Sequence, residues 1–293
     1  MAEIRTPATA ANIGPGFDCL GMALGIWNTF HVQKAAETKL INVEERFNNS
    51  DNLFLQAYRR GCGMLGENSG IIAEFNCEIP VARGLGSSAS MIIGGLKAAS
   101  ILHGDRLSEN DILQAACDME GHPDNTAPCL LGGLTATMRN VYREWIPRRL
   151  QVSGLWNITL LIPDFEVNTD EAREILPDMY SRRIIARNTA NVVMLTEALR
   201  TGDAELLRHA SKDRLHEPYR SRLIPDYDTI YSLCVNDAGG ALVISGSGPA
   251  LLLISPRQLS ESACAKIEAL PNSWKIVKTE LALQGTQSKG DPR

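Results

Sequence analysis

The chain lacks the features that identify several classes of protein. Its 293 residues contain no run of about 18 apolar residues, which excludes a transmembrane helix. Lys and Arg number 29 against 34 Asp and Glu, and the resulting net charge of −5 argues against nucleic-acid binding driven by bulk charge. The N-terminus has no basic stretch followed by an apolar block, so we expect no secretory signal. Neither a membrane nor a nucleic acid is therefore an expected partner.

Paired cysteines are also lacking. The seven cysteines are odd in number and none is spaced as Cys-x-x-Cys, which argues against a disulfide framework and a zinc ribbon. Unpaired cysteines are most often small buried apolar side chains. A reducing cytoplasm is the location that this pattern favours.

The length and the order of predicted elements bound the fold. A chain of 293 residues with 44% apolar residues can form one large domain or two. Strand-like and helical segments are mixed rather than strictly alternating, which predicts an α+β fold instead of a doubly wound sheet. Residues 140–156 have mixed character and are interpreted as a crossover, so we expect domains over 1–150 and 151–293. Residues 284–293 are polar with Gly and Pro, and we expect a frayed tail there.

The segment with the strongest chemical signal is residues 80–90, Pro-Val-Ala-Arg-Gly-Leu-Gly-Ser-Ser-Ala-Ser. It follows a strand-like run and opens an apolar helix. Two glycines let the backbone approach a ligand closely, and the start of the helix offers free N–H groups and a positive dipole end that suit a phosphate. Ser87, Ser88 and Ser90 add hydroxyls for phosphate oxygens or a metal. The segment is neither a Walker loop nor Gly-x-Gly-x-x-Gly, and its other interpretation is a glycine-rich helix entry with serine capping.

A second glycine-rich segment, residues 244–250, lies between two apolar strands. Its Gly-x-Gly-Pro pattern is typical of a turn, so a hairpin loop is one interpretation. The other is a backbone rich in N–H groups that faces the first loop.

The N-terminal segment over residues 7–18 combines an asparagine, two glycines and an aspartate near a strand. Asn12 can donate and accept hydrogen bonds, and Asp18 can hold a hydroxyl or an ammonium group. A turn-rich loop with local Asn and Asp caps is an equal alternative.

Residues 120–125 place a carboxylate, an imidazole and an amide just past a helix end. The carboxylate of Glu120, together with serine hydroxyls, suits Mg²⁺, which prefers oxygen ligands. His122 is either a ligand contact or a structural hydrogen-bonding histidine.

These four segments, in their order along the chain, resemble the GHMP kinase superfamily, and most of all its homoserine kinase family. The segments that carry the resemblance are residues 7–18, 80–90, 120–134, 167–177, 213–220 and 245–250. The resemblance covers about residues 4–254. It implies an N-terminal ATP-binding domain of the ribosomal protein S5 domain 2-like type, a C-terminal ferredoxin-like α/β sandwich, and a homodimer.

The resemblance also implies an activity, which is ATP-dependent phosphorylation of the L-homoserine hydroxyl to O-phospho-L-homoserine in threonine biosynthesis. MgATP is the implied cofactor, with Ser88 and Glu120 near Mg²⁺. The loop residues that it assigns to the nucleotide are Pro80, Val81, Ala82, Arg83, Gly84, Leu85, Gly86, Ser87, Ser88, Ala89 and Ser90.

The substrate side is implied in the same way. The matching positions are Asn12, Asp18, His122, Arg220 and Gly246. The resemblance assigns substrate orientation to Asn12 and Asp18, and no dedicated base is implied. Arg220 matches an arginine that binds the substrate carboxylate, which the planar guanidinium fork suits.

One departure from the family concerns a second arginine for that carboxylate, which is usually present on the long helix. The expected position is Asn191 in this chain. Arg187 lies one turn earlier and can lie on the same helix face, so it is a candidate substitute. The alternative is a different small alcohol without that carboxylate. A catalytically inactive relative that acts as a sensor would show a damaged phosphate loop or a lost metal carboxylate, and neither is seen.

Overall fold

Two β-sheets with helices packed on them form the protein, whose computed structural model describes residues 1–290. In chain order the strands are β1 (Ala2–Ala11), β2 (Leu20–Ala35), β3 (Lys39–Ile41), β4 (Gly70–Cys77), β5 (Leu134–Arg139), β6 (Trp145–Leu150), β7 (Asn157–Ile162), β8 (Ala241–Ile244), β9 (Leu251–Ser255), β10 (Lys275–Thr279) and β11 (Gln287–Gly290). The helices are α1 (Leu53–Leu65), α2 (Ser87–Leu102), α3 (Glu109–Glu120), α4 (Thr126–Leu131), α5 (Thr169–Glu174), α6 (Arg182–Thr201), α7 (Ala204–Ala210), α8 (Glu217–Arg220), α9 (Tyr227–Ala238) and α10 (Glu261–Glu268). None of the helices formed by residues 1–290 combines the length and apolar character needed to cross a membrane.

The first sheet has seven strands and is built around the long strand β2. The order is β11-β1-β2-β4-β3, and β5 pairs with both β2 and β6. The helices α1 and α2 pack on this sheet through Phe30, Phe54 and Phe75, whose ring centroids lie 4.9 to 5.2 Å apart. The buried hydroxyl of Ser90 further ties α2 to the sheet, since it lies 2.6 Å from Thr6 Oγ1 and accepts from Asn28 Nδ2 at 2.8 Å. These contacts place the first turn of α2 relative to β1 and β2.

The second sheet has four antiparallel strands in the order β10-β7-β9-β8. Numbered by their own sequence order, these strands run 4-1-3-2, and helices separate the first from the second strand and the third from the fourth. This is the ferredoxin-like arrangement, and the α+β prediction is confirmed. The strands β8 and β9 consist mainly of aliphatic residues and are buried along their whole length, so they form the core of this sheet.

The C-terminal tail differs from the sequence prediction. The predicted frayed tail is wrong for its described part, because β11 pairs antiparallel with β1 and returns the chain to the first sheet. The polar composition of the tail misled the prediction, since an edge strand can keep polar side chains exposed while its backbone groups pair. Residues 291–293 lie outside the described residues.

The interpreted crossover also differs from the structure. Within residues 140–156, β6 pairs antiparallel with β5 as a hairpin of the first sheet. The connection to the second sheet is therefore limited to the residues between Leu150 and Asn157.

A buried acidic pair lies in the second domain, at and just before α8. Asp213 Oδ2 accepts hydrogen bonds from the backbone N–H groups of Leu215, His216 and Glu217 at 2.7 to 3.0 Å. Glu217 Oε1 accepts from the N–H of Ile244 at 2.8 Å. Burial, and secondly the nearby charge of Asp213, raise the pKa of Glu217 to about 8. Glu217 therefore favours its protonated form in the folded protein.

We expect Glu217→Gln to flatten the dependence of stability on pH. The folded-state pKa lies above the ordinary value of 4.5. Stability from this group is thus complete below about pH 4.5 and is lost as pH rises through about 8. The substitution should remove a fall of about 1.4 kcal/mol per pH unit in the free energy of unfolding between about pH 5 and 8. Denaturant titrations over this range measure it, and Glu205→Gln on the exposed side of α7 should keep the original slope. An unchanged slope in Glu217→Gln would contradict the assignment.

Candidate active site

A cleft of about 650 Å³ lies beside the first turn of α2 and is lined by residues of both domains. The predicted residues that line it are Asn12, Pro80, Val81, Ala82, Arg83, Gly84, Leu85, Gly86, Ser87, Ser88, Glu120, His122, Arg220 and Gly246. The lining residues that sequence reasoning did not assign include Asn125, Val167, Thr169, Arg173 and Ser247, and the apolar Val43, Phe47, Leu53, Phe75 and Met91. Ala89 and Ser90, by contrast, are buried within α2 behind the cleft wall, so these two nucleotide assignments do not match the structure.

The loop before α2 has the backbone shape that its glycines predict. Gly84 and Gly86 have φ angles of +74° and +67°, a region that favours glycine. A side chain at Gly84 would collide with the carbonyl oxygen of Ser245, and one at Gly86 with Thr9 Oγ1. Gly86 is the N-cap of α2 and offers no side-chain hydrogen bond. The N–H groups of the first turn are thus left for a ligand, as an anion site requires.

We expect Gly86→Ala to weaken nucleotide binding about tenfold or more and to lower stability by about 1 to 3 kcal/mol. The added methyl group forces both an unfavourable φ and a collision inside the cradle. Nucleotide titration and denaturant unfolding measure the two effects. Gly63→Ala is the matched control, because Gly63 lies within α1 with open space around it, and it should stabilise the protein by about 0.5 to 1 kcal/mol. Equal nucleotide affinities of Gly86→Ala and Gly63→Ala would contradict the assignment of this loop to the phosphates.

The second glycine-rich segment supports this loop from behind. This segment connects the antiparallel strands β8 and β9, as the hairpin interpretation predicts. It also contacts the first glycine-rich loop, as the other interpretation predicts. Ser245 Oγ donates to the carbonyl oxygen of Gly84 at 2.6 Å, and the N–H of Ala250 donates to that of Arg83 at 3.1 Å. The N–H of Gly246 bonds to Ala11 O at 3.0 Å. The second domain therefore holds the phosphate loop in shape and is itself tied to β1 through Gly246.

The predicted metal residues meet at the end of α3. The hydroxyl of Ser88 donates to Glu120 Oε1. Burial raises the pKa of Glu120, although the Ser88 hydrogen bond and the charge of His122 oppose the rise. A half-buried carboxylate beside a phosphate cradle is stabilised by a cation, and oxygen ligands fit Mg²⁺. Within residues 1–290 no group of three or more His, Cys, Asp or Glu side chains is placed to hold a metal, so Mg²⁺ here would need further oxygens from a bound phosphate and from water.

The histidine beside this carboxylate is paired with a buried aspartate. His122 Nδ1 lies 2.7 Å from Asp124 Oδ1, which fixes the proton on Nδ1 and leaves Nε2 for a ligand. Burial lowers the pKa of His122, but the hydrogen bond and charge of Asp124 outweigh it and raise the pKa above its ordinary value. Asn125 follows, with Oδ1 accepting from Thr9 Oγ1 at 2.7 Å. Asp124 is fully buried, and its Oδ2 has no hydrogen-bonding partner in the described part of the chain.

The N-terminal loop is shaped by Asn12, which is buried. Its Nδ2 donates to the carbonyl oxygen of Gly246 at 3.1 Å, and its Oδ1 accepts from the backbone N–H of Asp18 at 2.8 Å. Both Asn12 and Asp18 have positive φ angles, 57° and 50°. The side-chain groups of Asn12 are thus occupied in holding the loop. The carboxylate of Asp18 is half exposed and does not line the cleft, although its partner Arg173 does. Asp18 Oδ1 pairs with Arg173 Nη2 at 3.2 Å.

Two arginines, Arg173 and Arg220, line the cleft, and the sequence analysis assigned no role to Arg173. Arg220 is only 2% exposed, with Nε donating to the carbonyl oxygen of Ala172 at 2.9 Å and Nη1 to that of Gly246 at 3.0 Å. Burial, and secondly the charge of Arg173, lower its pKa. Arg173 follows Ala172 on α5, and both Arg173 and Arg220 line the cleft. The available signal was the helix start at Thr169, which directs this arginine towards the site.

Neither Arg187, the candidate substitute for the second carboxylate arginine, nor Asn191, the position where that arginine was expected, lines the cleft. Arg187 is exposed on α6 and does not line the cleft. Asn191 Nδ2 donates to the carbonyl oxygen of Lys212 at 2.7 Å, which is a structural contact. The residue of α6 that faces the N-terminal loop is Asn188, which donates to Pro15 O at 2.9 Å. A helix face cannot be assigned from spacing alone when the neighbouring elements are unknown.

Comparisons with known proteins agree with this geometry. The family model for the GHMP kinases N terminal domain matches residues 52–133, and that for GHMP kinases C terminal matches residues 195–272. A homoserine kinase of Clostridium botulinum (strain Langeland / NCTC 10281 / Type F) is 35% identical over 291 residues, 98% of each chain. A homoserine kinase of Nostoc punctiforme is 39% identical over 276 residues, 91% of this chain and 90% of that one.

Solved structures show the same relationship. A homoserine kinase from Cytophaga hutchinsonii superposes with a TM-score of 0.84 at 28% identity, covering 98% of this chain and 97% of that one. A mevalonate kinase superposes with a TM-score of 0.70 at 16% identity, which supports the fold alone. The two-domain architecture is therefore that of the GHMP kinases. Because the identity to its relatives extends over nearly the whole length of both chains, the chain belongs to the homoserine kinase family of the GHMP kinases.

Proposed function

We propose that the protein is a homoserine kinase, which transfers the γ-phosphoryl group of ATP to the hydroxyl of L-homoserine and forms O-phospho-L-homoserine for threonine biosynthesis. The observation that carries this proposal is the arrangement of one cleft. It has a phosphate cradle at the start of α2, a carboxylate at Glu120, and a charged end where Arg173 and Arg220 lie beside Asp18. These three parts match a nucleotide, a divalent cation and an amino-acid zwitterion.

The nucleotide side follows from the cradle and the apolar wall beyond it. Backbone N–H groups of the loop and of the first turn of α2 would bind the phosphates. Phe47, Phe75 and Met91 line the far side of the cleft and suit a flat apolar base. When bound, MgATP supplies the phosphoryl group, and the cation neutralises its charge. Ser88 and Glu120 would hold that cation.

The substrate side follows from its charges. Arg173 and Arg220 would bind the carboxylate of homoserine, because a guanidinium fork matches it. Asp18 would take the ammonium group, with the loop held in place by Asn12 and Gly246. His122 and Asn125 also line the cleft, and His122 Nε2 and the Asn125 amide would contact the substrate hydroxyl. Catalysis would then come mainly from positioning and charge neutralisation.

We propose no dedicated base. Asp18 is paired with Arg173 and is assigned to the ammonium group, and Asp124 is fully buried with Oδ1 engaged by His122, so neither carboxylate is assigned to the hydroxyl proton. The hydroxyl proton would pass to a phosphate oxygen or to water as the new bond forms. The alternative substrate, a different small alcohol, rested on the missing arginine at Asn191. Because Arg173 lines the cleft together with Arg220, that argument no longer favours another alcohol.

Other properties accompany this proposal. We place the domain division at 150/151, with residues 284–290 assigned to the nucleotide-binding side because of β11. We further propose a homodimer in the cytoplasm with MgATP as cofactor. Size-exclusion chromatography with light scattering tests the dimer.

The function is tested by ADP release with MgATP and a panel of alcohols. The panel contains L-homoserine, L-threonine, L-serine and an analogue of homoserine that lacks the carboxylate. We expect strong preference for L-homoserine and little turnover of the analogue. Preference for the analogue or for another alcohol would reject the proposed substrate.

A further inference from the structure

Arg83 has a different position from the one that its loop suggests. The resemblance assigns it to the nucleotide, but its guanidinium group turns towards the second domain. Nε donates to the carbonyl oxygen of Pro163 at 3.1 Å and Nη2 to that of Asp164 at 2.7 Å. Nη1 lies 3.1 Å from Glu166 Oε1. All three nitrogens of the fork are thus engaged, and the side chain is only 16% exposed.

The residues that Arg83 binds lead directly to the substrate end. Residues 163–168 connect the end of β7 to α5, which carries Arg173. The same helix is tied to the buried Arg220 through the carbonyl oxygen of Ala172. A continuous path of hydrogen bonds and short backbone therefore runs from the phosphate loop to both arginines.

We propose that Arg83 is a positioning residue that couples the two halves of the cleft. Nucleotide bound to the loop holds Arg83 in place, and Arg83 holds residues 163–168, so that α5 presents Arg173 to the amino acid. The coupling is reciprocal, because each ligand changes the affinity for the other by the same factor. This inference rests on the proposed function, and it adds that nucleotide and amino acid bind cooperatively through one side chain.

The first test needs no amino acid. Hydrogen–deuterium exchange of residues 163–173 is measured with and without MgADP in the wild type, Arg83→Met and Arg83→Lys. We expect MgADP to slow exchange in the wild type, to have no effect on this segment in Arg83→Met, and to have a partial effect in Arg83→Lys, which keeps the charge but not the fork. Arg106→Met is the matched control, because Arg106 also pairs with a glutamate, Glu67, but lies outside the cleft lining.

The second test measures the coupling factor, which is the ratio of the Kd for MgADP without L-homoserine to the Kd for MgADP with L-homoserine. We expect about fivefold or more in the wild type and in Arg106→Met, falling towards 1 in Arg83→Met. A merely structural role would lower the melting temperature without moving this ratio. If Arg83→Met weakens nucleotide binding with the ratio intact, the guanidinium group binds phosphate and the inference is overturned.

The two proposals fail in distinguishable ways. Absence of homoserine-dependent ADP release in the wild type would reject the proposed function, whereas the exchange experiment would still decide the role of Arg83. Exchange in residues 163–173 that ignores MgADP in the wild type, or that still responds in Arg83→Met, overturns the coupling even if homoserine is the substrate.

Discussion

Replacing Arg173 by methionine is expected to raise the KM for L-homoserine about 10- to 150-fold. Loss of one charge-assisted hydrogen bond to a carboxylate costs about 1.5 to 3 kcal/mol, which corresponds to that factor. The KM for ATP should change little, because the phosphates are assigned to the loop before α2 and not to Arg173. Folding should be preserved, since the side chain is 42% exposed and its protein partner is the half-exposed Asp18. Initial rates with each substrate varied in turn measure both constants.

Arg187→Met is the matched control for this experiment. It makes the same chemical change on the exposed side of α6, away from the cleft lining. Kinetic constants of this variant should equal those of the wild type. The opposite result, a large effect at Arg187 and none at Arg173, would place the carboxylate site on α6 and contradict the assignment from the structure.

Replacing Glu120 by glutamine is expected to lower kcat about 10²- to 10³-fold, the range found when one preorganised electrostatic group is removed from an active site. Glutamine can still accept the hydrogen bond from Ser88, so the geometry is kept and only the charge is lost. The thermal midpoint should not fall, because burial already makes the ionised form of Glu120 unfavourable. Turnover at saturating substrates and a thermal scan measure the two quantities.

Asp118→Asn is the matched control for Glu120→Gln. Asp118 lies on the same helix, α3, and makes an exposed pair with Arg60 at 3.5 Å. Its removal should leave kcat unchanged, because exposed pairs contribute little. If Glu120→Gln keeps full turnover but melts at lower temperature, Glu120 is structural and the metal assignment is wrong.

The parts of the site that are contiguous in sequence could be predicted from the sequence. The phosphate loop is such a part, because glycine spacing and a following helix start are local properties. The predicted residues from Pro80 to Ser88 line the cleft, although the guanidinium group of Arg83 turns towards the second domain and Ser90 packs α2 on the sheet. Glu120 and His122 were predicted for the same reason, since they lie at and just past the end of one helix, and both line the cleft.

The second arginine could not be found in this way. Its identity depends on which helix packs against the N-terminal loop and with which face. α6 carries the periodicity of a long helix but turns Asn188 towards that loop, while Arg187 points outward. α5 is only six residues long, and its arginine reaches Asp18 across 155 residues of chain. A local sequence pattern cannot predict a contact between residues so far apart in the chain.

The sequence by itself determined the class of chemistry and the fold class of this protein. Two glycines and a following helix start predict a phosphate site from local backbone geometry, a glutamate with serine hydroxyls predicts a cation beside it, and the mixture of strands and helices predicts an α+β protein. The tertiary structure alone decided that β11 returns to the first sheet, that Arg173 joins Arg220, and that Arg83 bridges the domains. The physical reason is that these contacts depend on sheet pairing and helix packing between segments far apart in the chain, whose register is set by burial of the whole core.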